Sequence, residues 1–157
     1  DVAMATVRLS FSPEPAHVRT ARLVGVAVAR RAGIGGDLLD EVRLAIGEAC
    51  SRAVALHRRH GLRTPISIEM TDGPTYEVRV VDHAPADATA AGAVPELAAA
   101  PAVDAIDAPP DGLSEEAVAA GMGLTLLAGL VDDLEVRRAA GGTGTSVRMV
   151  WLPRPTR

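Results

Sequence analysis

The chain predicts an α+β domain, with an antiparallel or mixed sheet carrying helices on one face. Two observations lead there. Short segments that alternate apolar and polar residues come in groups, and two long stretches with a helical apolar period stand together near the start. Grouped strands and grouped helices, rather than a regular strand–helix alternation, are the pattern of α+β folds. At 157 residues the chain has the length of one domain with its own core, assigned here to residues 4–153.

Thr6 to Ser10 alternates and reads as the first strand. Pro13 and Pro15 open a helix, because proline suits a first turn. Val18, Ala21, Val24, Ala27 and Val28 make its apolar face, with Arg19 and Arg30 on the other side. Glycines from Gly33 to Gly36 stop this helix, and Asp37 is placed to cap the next. The second helix runs from Leu38 to Arg59. Leu38, Val42, Ala45, Ile46, Ala49, Ala53 and Leu56 form its buried stripe, and Glu41, Glu48 and Arg52 line the half-covered edge. Arg58 and Arg59 suit the negative C-terminal end of a helix, and His57 and His60 read as solvated there.

Pro65 to Met70 and Thr75 to Val81 alternate with period two and are joined by Asp72, Gly73 and Pro74, a hairpin. Residues 83–120 contain fifteen Ala and five Pro without a sustained period. A stretch of that length inside a compact domain is a functional lid or is disordered. Gly121 to Val131 reads as a glycine-started apolar helix. Leu134 to Arg138 and Ser146 to Leu152 are the last strands, joined by a Gly-rich turn.

Composition removes several functions. The net charge is −4, against the basic footprint of a nucleic-acid binder. Phe11, Tyr76 and Trp151 are the only aromatics, too few for base-stacking platforms. All sixteen basic residues are Arg, and Lys, Asn and Gln are absent, so lysine chemistry and Asn-dependent metal sites are excluded. Cys50 stands alone, which excludes a disulfide framework and a cysteine zinc site and makes it a small buried hydrophobe. No apolar run approaches the ~18 residues of a membrane span, and the expected location is the cytoplasm.

Three segments carry the chemistry: EACSRAVALH from Glu48, VVDHAPA from Val80 and GMGLTLL from Gly121. The closing GTSVRM runs from Gly144 to Met149. On these residues the chain resembles the bacterial anti-sigma-factor serine kinases, members of the GHKL class of ATPases. The likeness extends from about Thr6 to Trp151, and GMGLTLLAGLVDDLEV is its most specific piece. It implies a GHKL (Bergerat-type) α/β sandwich, with a mostly antiparallel sheet and ATP or ADP lying between the helices and a lid.

Carried over by residue, the resemblance makes Glu48 the general base and Asp82 the reader of the adenine amino group. Gly121, Met122, Gly123 and Leu124 fall under the phosphates, and Thr145 lies near the adenine. Arg19 and Arg22 fall on the partner-contacting helix. The implied partners are a sigma factor, an anti-anti-sigma protein with a STAS domain, and a second copy of the chain. No nucleic acid or membrane is implied.

The departures bear on the metal. The family's Asn, an oxygen donor to Mg²⁺, is replaced by Arg52. Mg²⁺ takes oxygen ligands, and a guanidinium has only donors, so Arg52 cannot be a ligand, although it can neutralise phosphate. No metal ligand is therefore assigned. After Asp82, the family's glycines are replaced by Ala84 and Ala86, with Pro85 between them. The expected function is an anti-sigma-like regulator with weak or lost kinase activity. An active serine kinase and a scaffold for another regulatory partner are the alternatives. Each site residue also has a plainer reading: Glu48 and Arg52 stand at i, i+4 as a helical ion pair, Asp82 starts a turn, and Gly121 to Gly123 make a tight helix entry.

Overall fold

The computed structural model of the chain describes residues 4–85 and 124–153. Strand β1 (Ala5–Phe11) leads into helices α1 (Pro15–Arg31) and α2 (Gly36–Arg59). Strands β2 (Ile66–Asp72), β3 (Tyr76–Val81), β4 (Asp133–Arg138) and β5 (Thr145–Trp151) follow. The strands form one sheet in the order β1-β2-β3-β5-β4, with every neighbouring pair antiparallel. This is the expected α+β architecture. Of the helix expected over 121–131, residues 124–128 are helical and the chain turns at 129–130, while 121–123 fall outside the described residues. So does the expected lid from residue 86 onward. Among the described residues no helix is long and apolar enough to cross a membrane.

Both helices lie on one face of the sheet. α1 packs on β1 and β2, α2 packs on β3, and the helices pack on each other. They run antiparallel: Arg22 lies over Gly47, Gly25 faces Ile46, and Pro15 and Val18 lie beside Val54 and Arg58. The inward residues of the central strands are fully buried beneath them. These are Ile66, Ile68 and Met70 of β2, Tyr76, Val78 and Val80 of β3, and Val147, Met149 and Trp151 of β5. Burial of each such large side chain is worth about 1.5–3 kcal/mol.

The buried aromatics satisfy their polar ends inside this core. Tyr76 stacks on Trp151 at 5.7 Å between ring centres. The Tyr76 hydroxyl donates to the Gly25 carbonyl at 2.6 Å, and Trp151 Nε1–H donates to the Leu130 carbonyl at 3.0 Å. Burial raises the Tyr76 pKa, so the phenol stays protonated and keeps that bond.

The opposite face of the sheet is charged. Arg8, Glu69, Arg79, Arg148 and Glu135 form one row across all five strands. Arg79 and Arg148 stand directly opposite each other, a repulsive arrangement on its own. Glu77 resolves it by accepting from Arg79 at 3.3 Å and from Arg148 at 2.6 Å.

The buried face of α1 differs from expectation. Val18, Ala21, Gly25, Val26, Val28 and Ala29 are buried, whereas Ala27 is exposed and Val24 half-buried. The reason is helical pitch. Each residue turns about 100°, so three successive steps of three residues carry Ala27 about 180° away from Val18. On α2, Glu41 is exposed rather than half-covered, as carboxylates mostly are. Cys50 is buried as expected. Burial pushes its thiol up to about 12 against the opposing pull of Arg22, so it stays protonated and inert.

Candidate functional site

The end of β3 brings the chemistry-bearing residues together. Arg52 sits on the same side of α2 as Ala45, Ile46 and Ala49, and only 5% of it is exposed. It is not the half-covered edge residue expected. It donates through Nη1 to Asp82 Oδ2 at 3.1 Å, an ion pair across the fold rather than the i, i+4 pair with Glu48. A guanidinium tolerates this depth because a carboxylate faces it there. Burial lowers the Arg52 pKa, while the Asp82 charge and hydrogen bond raise it.

Asp82 is 1% exposed, and both of its oxygens accept hydrogen bonds. Its Oδ1 accepts from the Ala84 amide at 3.1 Å and the Thr145 amide at 3.2 Å. The Ala84 bond is the turn-initiating contact expected of an Asp at a strand end. The Asp82 amide donates in return to the Thr145 carbonyl at 3.0 Å, extending the β3–β5 ladder by one step. Thr145 therefore reaches Asp82 through its backbone. Gly144 permits this approach. Its φ is +90°, and a Cβ there would press on the Asp82 carbonyl, within 2.9 Å of both Asp82 C and His83 Cα.

His57 was not expected here. It is fully buried rather than solvated, and it ties the residue after Asp82 to the chain following α2. Nδ1 lies 2.9 Å from the Thr64 carbonyl, and the His83 amide lies 2.8 Å from Nε2. A carbonyl only accepts and an amide only donates. The ring is therefore the neutral tautomer with its proton on Nδ1. The spacing Ala49, Ala53, His57 continues the buried stripe and was the available signal.

This arrangement makes stability depend on pH. Burial lowers the His57 pKa, with His83 and His60 acting in the same direction and Thr64 and Asp82 opposing. Above its ordinary pKa of about 6.5, the group is neutral in both folded and unfolded chains. Below it, the unfolded chain takes up a proton that the folded chain resists, so stability falls as pH drops towards the lowered folded value. Urea unfolding at about pH 7.5 and about pH 5.5 should show this loss, and His57→Gln should flatten it. An unchanged pH dependence in His57→Gln would contradict the assignment.

The remaining expected residues are spread out. Glu48 is half-buried one turn before Arg52, and Leu124 is buried at the start of the short helical segment. Gly121, Met122 and Gly123 lie outside the described residues. Arg19 is exposed on α1, whereas Arg22 is half-buried with its Cδ over Gly47. A groove of about 140 Å³ between the start of α1 and the end of α2 is lined by Pro15, Val18, Ser51, Val54, Ala55 and Arg58.

The donor set does not suit a magnesium ion or an adenine at Asp82. Among the described residues no three His, Cys, Asp or Glu side chains gather to hold a metal. Every buried side-chain nitrogen and oxygen there already has a hydrogen-bond partner. Asp82 has both oxygens engaged, and Arg52 adds a cation where an oxygen ligand would be required.

Comparison with protein families matches residues 11–151 to the histidine kinase-like ATPase domain. Comparison with curated proteins gives no match.

Proposed function

This chain belongs to the histidine kinase-like ATPase domain family, and we propose that it acts as an anti-sigma-type regulator through binding rather than phosphoryl transfer. It holds an alternative sigma factor and releases it when an anti-anti-sigma protein with a STAS domain competes. The observation that carries the loss of catalysis is the buried Arg52–Asp82 bond at 3.1 Å. Phosphoryl transfer needs metal ions that neutralise the developing charge on the phosphates, and a guanidinium tied to Asp82 supplies no oxygen for them.

The partner surface is assigned to the exposed side of α1 and the adjoining end of α2. Arg19 is exposed there, and the antiparallel packing brings Arg58 beside Pro15 and Val18. A groove with Arg58 in its wall, and with Arg19 exposed on the helix that supplies Pro15 and Val18, suits a partner with an acidic docking face. Arg19→Ala should weaken binding of the sigma factor or its antagonist by about 1–3 kcal/mol, the range for hydrogen bonds to charged groups. Arg58 is too near to serve as a control. Arg8, exposed on the far face of the sheet, is the suitable one. Titration of the wild type, Arg19→Ala and Arg8→Ala against candidate sigma factors, with thermal melts alongside, tests the reading. Equal affinity of all three removes α1 from the interface. A parallel assay for phosphate transfer to the STAS-domain protein should show none, and efficient transfer would restore the kinase reading.

A further inference from the structure

We infer that Arg52 is a built-in occupant of the adenine-reading end of the site, so the chain keeps this end closed with its own side chain and takes up no adenine nucleotide there. The inference deepens the reading of the chain as a binding regulator, because it makes partner binding independent of nucleotide.

Asp82 accepts its hydrogen bonds from the chain itself. A carboxylate reads an exocyclic amine by accepting its N–H. In this chain an N–H already points at that carboxylate: Arg52 Nη1 donates to Asp82 Oδ2 at 3.1 Å. The other oxygen holds two backbone amides at 3.1 and 3.2 Å, and these belong to the fold rather than to a ligand. Because Asp82 is only 1% exposed, an incoming amine reaches Oδ2 only where Arg52 gives way. That step strands a guanidinium in a place only 5% exposed, beside a carboxylate only 1% exposed. Competition also favours the resident group. A tethered donor acts at an effective concentration of about millimolar or above, and its attraction to Asp82 carries a full charge that a neutral aminopurine lacks.

Among the described residues, two further contacts crowd the backbone at Asp82 and His83. Gly144 lacks a Cβ so that the Asp82 backbone can lie against it, and His57 Nε2 holds the His83 amide at 2.8 Å. Among the described residues, Arg52 is the side chain bonded directly to the carboxylate. Truncating it should leave a cavity with one unpaired carboxylate oxygen in its wall. Flat ligands that present N–H groups fit that chemistry: guanidinium ions, amidines and aminopurines.

The test is thermal unfolding and calorimetry on the whole chain, with no partner protein present. The probes are methylguanidinium, adenosine, and ATP with Mg²⁺ or EDTA. The wild type should show no melting shift with any of them at about 1 mM, the scale on which a free donor loses to a tethered one. Arg52→Ala should melt lower and should be raised by methylguanidinium and by adenosine, with affinity for adenosine at least about tenfold above wild type. Asp82→Asn added to Arg52→Ala should abolish the methylguanidinium response. If Arg52→Ala does not fold, Arg52→Val, which has no N–H to offer Asp82, must show the same gain. Wild-type binding of ATP in the micromolar range would overturn the inference. So would a folded Arg52→Ala or Arg52→Val that gains nothing from any probe. A failed sigma-factor titration touches only the proposed function.

Discussion

Arg52→Met should lower folding stability by about 3–5 kcal/mol, towards the lower end, the range for breaking a buried ion pair by removing one partner. Methionine keeps the apolar stem and removes the charge, so the effect isolates the lost bond to Asp82. The lower end is expected because Asp82 retains the Ala84 and Thr145 amides. Asp82→Asn alone should also destabilise, since it leaves the Arg52 guanidinium buried and without a counter-charge. The double variant Arg52→Met/Asp82→Asn should recover most of the loss. The Asn carbonyl oxygen still accepts both backbone amides, and no charge remains to be desolvated. A double-mutant cycle in urea measures the coupling directly. A loss below about 1 kcal/mol in Arg52→Met would place the pair with ordinary surface ion pairs and contradict its burial.

Gly144→Ala should cost at least about 3 kcal/mol, because two penalties fall on one residue. Its φ of +90° is in the region that L side chains avoid, at about 1–2 kcal/mol. The added methyl would also meet the Asp82 carbonyl and approach His83 Cα within 2.9 Å. These are backbone atoms, which cannot swing aside as the tip of a side chain can. Relief requires β3 and β5 to part where Asp82 and Thr145 exchange hydrogen bonds. Gly142→Ala is the matched comparison: its φ is +87° with nothing within 4 Å, so only the conformational penalty applies. Equal losses in the two variants, measured by chemical denaturation, would show that the contact with Asp82 carries no weight.

Much of the fold was legible in the residues because periodicity belongs to each segment separately. Alternation in Ile66–Asp72 and Tyr76–Val81 marks strands buried on one side, and both appear within a residue or two of where the pattern places them. The helix over Gly36–Arg59 is legible from its apolar stripe in the same way. The α1 face was misread at Ala27 because steps of three residues drift round a helix that turns every 3.6. The error is one of arithmetic within a segment, and Gly25, Val26 and Ala29 show the face that packing selects.

The residue types at the site were legible too, but their partners were not. By itself the sequence determined the order of strands and helices, and it put an arginine, Arg52, where the resemblance implies an oxygen ligand. Only the tertiary structure decided that Arg52 bonds Asp82, thirty residues away, rather than Glu48, four residues away. It also decided that His57 is a buried neutral ring and that Arg58 lies beside the start of α1. The physical reason is common to all three. A polar side chain goes inside only where another element brings it a complementary group, and that depends on how segments distant in the chain pack, which no pattern within one segment encodes.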